Sequence, residues 1–228
     1  MSALSRLLQL ADTAFPTGAF AHSLGLEAEH AAGGLRDEHD LERLLRRHLT
    51  GLATSDLVAV RAAHAQASAA APDLDALIVL DREVDATRVT RETREASRAT
   101  GERFLIAAVE LLDDAVLAGL HAAVGSRETP GTLPVAWGVA CAAVGVDAEA
   151  AARAQAFTAL SALAAAGQRL VPLGGVATQR ALWRSGDAID DAVRLSAAID
   201  PAEPCSFVPE VDVRSAQHER QRVRLFIS

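Results

Sequence analysis

Apolar residues recur along this chain at the spacing of a helix face. Leu41, Leu44, Leu45, His48, Leu49 and Leu52 follow i, i+3, i+4, i+7, i+8 and i+11, while Glu42, Arg43, Arg46 and Arg47 take the opposite side. A 3.6-residue period of this kind puts one stripe in a core and the other in solvent. Asp37, Glu38 and Asp40 stand at its start, where carboxylates meet the positive end of a helix. Gly33-Gly34 ends the preceding helix, which begins after Ser23. The same signals predict helices over about 3–11, 55–70, 73–86, 89–112, 114–124, 134–145, 148–170, 173–184 and 187–198, with prolines at 72, 130, 134 and 172 marking starts or connections. Aromatic residues make up only 4% of the chain, and Ala, Leu, Glu and Arg dominate, so strand signals are weak. The expectation is an all-α fold: a single-domain bundle of about ten helices over residues 1–200, then a mobile C-terminal tail over 201–228.

One predicted helix breaks the pattern. Over 89–103 the stripe where Leu or Val would stand reads Thr90, Thr93, Ser97, Thr100 and Gly101, with Arg91, Arg94, Arg98, Glu92, Glu95 and Glu102 around it. Such a helix is either solvated and laced with i,i+3 and i,i+4 ion pairs, or a semi-polar face for a partner helix or a water-filled passage. The tail differs again. Pro201, Pro204 and Pro209 interrupt helix formation, and residues 205–228 carry four Arg against three acids. A segment of that composition buries little apolar surface by itself and is expected to be mobile in isolation. It closes on Val223-Arg224-Leu225-Phe226-Ile227, an apolar hook containing a guanidinium, which suits a docking segment that orders on a partner.

Charge and composition narrow the function. The net charge is −8 with no basic block, which argues against nucleic acid as the main partner. The longest uncharged stretches, 131–146 and 154–168, are shorter than the ~20 apolar residues that span a bilayer. All 22 basic residues are Arg, and neither Lys, Asn nor Tyr occurs, so phosphate loops and Schiff-base chemistry that need Lys are excluded. Cys141 and Cys205 are too few for a disulfide framework and are not spaced as a zinc motif, consistent with a reducing, cytoplasmic setting. The seven histidines are scattered; Glu27 and His30 at i,i+3, with His22 upstream, form the one weak metal-ligand set. His48 lies on an apolar stripe and reads as a core histidine, and His39 as part of a helix-start cluster. No Gly-x-Ser-x-Gly occurs, and the glycines of Pro172-Leu173-Gly174-Gly175 follow a helix where a dinucleotide loop would follow a strand. No catalytic residue, resident metal or cofactor is expected.

Four segments in order resemble the UreF family of urease accessory proteins. The first runs from Leu7 to Glu27 through Phe15-Pro16-Thr17-Gly18 and Ser23-Leu24-Gly25-Leu26-Glu27. The second is Glu92-Thr93-Arg94-Glu95-Ala96-Ser97-Arg98, with Gly101 and Arg103. The third comprises Pro134-Val135-Ala136-Trp137-Gly138, Arg169-Leu170-Val171-Pro172-Leu173-Gly174 and Gln179-Arg180. The fourth is Asp212 to Glu219, then Arg224-Leu225-Phe226-Ile227-Ser228. Trp137 and Gly175 depart modestly from what is common in that family.

The resemblance implies a non-enzymatic, homodimeric scaffold or chaperone for nickel insertion. It would bridge UreD (UreH in some systems) and the GTPase UreG on apo-urease, with nickel handled by the complex and bound here at most transiently. It implies that the tail binds UreD/UreH, with Ser215, His218, Arg224, Leu225 and Phe226, and Phe15, Pro16 and Phe20 of the N-terminal turn, as contact residues. Thr90, Glu92, Arg94, Ser97 and Gly101 become candidates for a dimer-proximal or passage-lining face. Gly18, Ser23, Gly25, Leu26, Glu27, Pro172, Leu173, Gly174, Gln179 and Arg180 carry the structural motifs. Two alternatives stay open: a metallochaperone binding nickel through His22, Glu27, His30 or the tail, and a regulator of the UreG GTPase cycle acting in trans.

Overall fold

A computed structural model of the chain describes residues 1–202 and 204–228. Its helices are α1 (Ala3–Leu10), α2 (Leu26–Ala31), α3 (Glu38–Thr54), α4 (Asp56–Ala67), α5 (Leu74–Ala86), α6 (Arg91–Leu111), α7 (Ala115–Gly125), α8 (Leu133–Val144), α9 (Ala148–Leu170), α10 (Gly175–Arg184), α11 (Gly186–Ala198) and α12 (Pro209–His218). No strand occurs among the described residues. Short polar residues set the starts. Asp37, Asp73, Thr90, Asp114 and Asp147 each accept a hydrogen bond from the backbone N–H three residues on, satisfying a donor the helix leaves free.

The centre of the bundle is α8, whose residues Pro134 to Cys141 are all buried. A helix apolar all round must be enclosed, and α8 is packed by α4, α6, α7 and α9. Gly138 permits the closest of these approaches: a Cβ there would lie 2.5 Å from the Val60 carbonyl oxygen and 2.9 Å from Ala63 Cβ. Trp137 is 2% exposed, donates its indole N–H to the Ala151 carbonyl at 2.9 Å, and stacks tilted on Phe104, which meets Phe15. On the far side, α3 lies against α9, α10 and α11, with Leu41, Leu44, Leu45 and Leu49 inward as their spacing predicts. Each such leucine contributes about 2 kcal/mol by leaving water.

A buried carboxylate fixes the entry to α8. Asp81 on α5 is 0% exposed and accepts from the Thr129 hydroxyl (2.6 Å), the Gly131 and Thr132 N–H groups (2.7 and 2.8 Å) and the Thr132 hydroxyl (2.5 Å). The loop so held presses on α6, where a Cβ at Gly101 would sit 2.6 Å from Leu133 N.

The tail corrects the expectation of a mobile segment. Residues 209–218 form α12, and the chain beyond it turns back so that Phe226 is 3% exposed and Ile227 N–H donates to the Ala21 carbonyl at 2.8 Å. Pro209 occupies the first turn of α12, and Glu210 and Asp212 complement its N-terminus. Its inward stripe is polar: Ser215 and His218 are 1% and 0% exposed. A helix whose buried face is built of a serine and a histidine carries no apolar period.

Candidate docking surface

Two helix N-termini face the tail, and each presents a glutamate. In α2 it is Glu27, introduced by Leu24 (φ +50) and Gly25 (φ +88), backbone conformations that turn the chain sharply after Ser23. Gly25 is constrained twice, because a Cβ there would also lie 3.1 Å from the Ser215 backbone nitrogen. In α6 it is Glu92, two residues after the capping Thr90.

His218 lies between these carboxylates. Its Nδ1 is 2.9 Å from Glu92 Oε2, and its Nε2 is 2.9 Å from Glu27 Oε2. Arg224 donates to the other oxygen of Glu92 at 3.0 Å. Glu27 also accepts the backbone N–H groups of Leu225 (2.7 Å) and Phe226 (3.0 Å). Ser215 hydrogen-bonds the Thr90 hydroxyl at 2.9 Å, and the pairs Arg214–Glu29 and Arg91–Glu219 close the two flanks of α12. Burial raises the Glu27 pKa, but the hydrogen bonds from Leu225 N–H, His218 and Phe226 N–H outweigh it and leave the carboxyl below its ordinary range.

Side chains along the last six residues alternate. Phe226 and Ser228 point inward, and Arg224, its side chain 39% exposed, reaches Glu92: Arg169 covers the Phe226 ring at 4.3 Å, and the Ser228 hydroxyl meets His22 Nδ1 at 2.7 Å. Val223, Leu225 and Ile227 point outward, 88%, 54% and 67% exposed. Phe20, whose carbonyl accepts from Arg169, is 75% exposed, one residue before the Ala21 carbonyl that Ile227 N–H reaches. The result is an apolar ridge on a polar clasp.

Beneath α6 lies a cavity of about 110 Å3 lined by His22, Asp56, Arg88, Ser97, Thr100 and Gln155 among others. The Ser97 hydroxyl and Arg88 Nε are buried without a hydrogen-bond partner among the described residues. A second cavity of about 100 Å3 shares Leu24, Leu52, Asp56, Arg88 and Thr93 with the first and reaches Asp212 and Val208 of the tail. Burial raises the Asp212 pKa; it lowers that of His22, with Arg103 adding to the effect.

A model of the UreF family matches residues 35–186. The chain is also 34% identical over 223 residues to the urease accessory protein UreF of Arthrobacter sp. (strain FB24), spanning 97% of this chain and 96% of the relative. It is 34% identical over 226 residues to that of Corynebacterium glutamicum (strain R), with 97% and 96% covered. With urease accessory protein UreF 1 of Brucella melitensis biotype 1 it shares 31% over 225 residues, 99% and 92% covered. The chain belongs to the UreF family. UreF proteins are named as accessory proteins of urease, not as the enzyme. The family model stops short of both α2 and α12, whereas the match to the Arthrobacter relative covers 97% of the chain.

The expected UreF positions fall into distinct places. Ser215, His218 and Phe226 are buried at the clasp, Arg224 reaches Glu92 while staying partly exposed, and Leu225 faces out. Phe15 is buried on Phe104, while Pro16 and Phe20 are exposed. Thr90 and Glu92 serve the tail; Arg94 donates to the Arg88 carbonyl, Ser97 faces the cavity, and Gly101 meets the 131–133 loop. Gly18 (φ +72) turns the N-terminal loop, and Ser23 and Leu26 are buried at the start of α2. Pro172, Gly174 and Gln179 are exposed near the start of α10, with Leu173 partly covered; Arg180 forms a two-pronged pair with Glu38 at 2.8 Å. His22 and His30 point to different partners, Ser228 and the Leu35 carbonyl. Among the described residues no three His, Cys, Asp or Glu side chains converge as a metal site, and no helix is long and apolar enough to cross a membrane.

The contributions of Glu27, Glu29 and Arg214 to holding the tail escaped sequence reasoning. Glu27 and His218 are 191 positions apart, beyond the reach of any local pattern. A charged residue in a first turn without an i+4 partner was the available signal, and it is a faint one.

Proposed function

We propose that this chain is a cytoplasmic, homodimeric scaffold for nickel insertion into apo-urease, bridging UreD/UreH and the GTPase UreG. The tail is its UreD/UreH docking element. The observation that carries this reading is the alternation over 223–228. Inward side chains fasten the segment, leaving Val223, Leu225 and Ile227 exposed as an apolar ridge, with exposed Phe20 adjacent in sequence to the Ala21 carbonyl that holds Ile227. Exposed apolar patches rimmed by polar groups mark association sites. Nickel is cargo of the assembled complex, with no resident site in this chain.

Val223→Asp combined with Leu225→Asp tests the docking role without touching the clasp. Capture of UreD/UreH from a purified mixture should fall at least about tenfold for two charges buried in an apolar contact, with the circular dichroism spectrum unchanged. Undiminished capture would remove the ridge from the interface.

A narrower reading concerns α6. The buried Ser97 hydroxyl, without a partner among the described residues, over a largely apolar cavity that also admits His22, Asp56, Arg88 and Gln155 supports a passage-lining role for the small polar stripe. Ser97→Leu would fill the cavity with an apolar side chain and should slow urease activation with the fold intact. Normal activation kinetics would count against it.

A further inference from the structure

We infer that the outer face of α10 is a second docking surface, shaped for a protein that presents an acidic rim around an apolar socket. The inference rests on the bridging role proposed above: with the tail assigned to UreD/UreH, the partner for this face is UreG.

Helical spacing sets the face. Val176, Arg180 and Trp183 stand at i, i+4 and i+7, so they share one side of α10. Thr178, Ala181 and Leu182 take the opposite side and are buried where the helix packs on α3 and α9. Trp183 is 86% exposed, and Val176 is exposed beside it on the same stripe. The chain has two tryptophans, and the other, Trp137, fills the core. An indole left in water adds nothing to the isolated fold; its large apolar area gains only when something covers it. Tryptophan and arginine are the residues that most often dominate binding energy at interfaces, and here they are neighbours.

The charges say what covers it. Arg180 grips both oxygens of Glu38 at 2.8 Å, Arg184 reaches the same carboxylate at 3.3 Å, and Arg46 holds Glu42 at 3.3 Å. Arg46 also donates to the Arg184 carbonyl, tying α3 to the end of α10. The two layers differ in depth. The three arginine side chains are about half exposed, whereas Glu38 and Glu42 are largely covered. Guanidiniums therefore stand over sunken carboxylates, a positive layer on a chain of net charge −8. Each guanidinium carries five N–H donors and spends only some of them here, so a partner carboxylate meets donors already held in position.

Other occupants fit less well. A twofold contact with a second copy juxtaposes the same patch on both chains, which sets guanidiniums against guanidiniums. A nucleic acid or an anionic membrane meets the field of the whole chain, which is negative. An acidic rim on a protein answers the arginines locally, and its apolar centre takes Trp183 with Val176. The surface is also separate from the tail: α10 lies on α3 and α9, and α12 lies on α2 and α6. A bridge needs two such places, so that one partner is held while the other docks.

The test uses the full chain with purified UreD/UreH and UreG. Trp183→Ala should weaken UreG binding to the UreD/UreH-loaded chain at least about tenfold, with UreD/UreH capture and the circular dichroism spectrum unchanged. Arg184→Glu should slow association and flatten its dependence on salt, as loss of a rim charge does. Labelling the chain with fluorotryptophan gives one fluorine resonance for each tryptophan. Unlabelled UreG should shift that of Trp183 and leave that of Trp137 in place. Unchanged UreG affinity in Trp183→Ala, a Trp183 resonance that UreG does not move, or a loss of UreD/UreH or apo-urease capture in place of UreG would each overturn the assignment. Failures are traceable to their source. If the wild-type chain binds no UreG with UreD/UreH present, the bridging role falls and this surface with it; if UreG binds but ignores Trp183, only the surface falls.

Discussion

The loop held by Asp81 offers the sharpest test of the packing logic, through Asp81→Asn. The carboxylate receives four hydrogen bonds, two at each oxygen: Thr129 hydroxyl and Gly131 N–H at one, Thr132 N–H and hydroxyl at the other. Asparagine keeps the shape but retains one acceptor oxygen. Its NH2 group would point at donors that include a backbone N–H, which cannot rotate away as a hydroxyl can. With the site fully buried, the stranded N–H and the lost charge-assisted bonds together should cost about 2–4 kcal/mol. For a chain of this size that corresponds to a fall of roughly 5–12 °C in Tm. Urea unfolding followed by the fluorescence of Trp137, five residues beyond Thr132, measures the loss at a reporter the loop positions. Because Gly101 packs on the same loop, exchange protection in the middle of α6 should fall with that of residues 129–133. A loss below about 1 kcal/mol would show that the loop finds other acceptors, refuting the role given to Asp81.

Other positions yield further expectations. Gly138→Ala drives a methyl to within 2.5 Å of the Val60 carbonyl and should destabilise by about 1–3 kcal/mol through separation of α4 and α8, read by thermal unfolding. Gly25→Ala strains a left-handed backbone and crowds Ser215 N, so it should loosen α12 before the rest, seen as early proteolysis after Arg220 or Arg222. Burial, helped by Arg47, lowers the His48 pKa from 6.5 to about 4, so the unfolded chain binds the extra proton between those values and stability should rise with pH across that window; His48→Leu should flatten the slope in urea titrations. Glu27 titrates below its ordinary 4.5 when the tail is docked, so its contribution to docking is present above that value and lost as pH falls through the lowered one; Glu27→Gln should weaken tail protection already at neutral pH.

Helices with a short polar cap and an apolar stripe were legible from the chain itself. The predicted 148–170 coincides with α9, and Asp147 caps it. The helix over 89–103 is polar on its stripe, and the structure divides that stripe among unrelated duties: Thr90 caps, Thr100 returns its hydroxyl to the Ala96 carbonyl, and Gly101 lets a loop approach. Spacing alone cannot separate a small residue that admits a neighbour from one that lines a cavity. The ordered tail is not legible in the chain because electrostatic contacts with residues more than a hundred positions away hold it, which hydrophobic periodicity does not record. Pro209 with two acids behind it was nevertheless a valid helix start, outweighed by the surrounding prolines.

The alternation along the last six residues separates two kinds of constraint. Arg224, Phe226 and Ser228 answer to the chain's own body, where a change in any one must be matched on α2, α6, α9 or the loop that leads into α2. Val223, Leu225 and Ile227 answer to whatever lies outside. Drift on the outer positions can therefore follow a co-evolving partner step by step while the fastening stays fixed, so a recognition surface can be rewritten without refolding the protein that carries it.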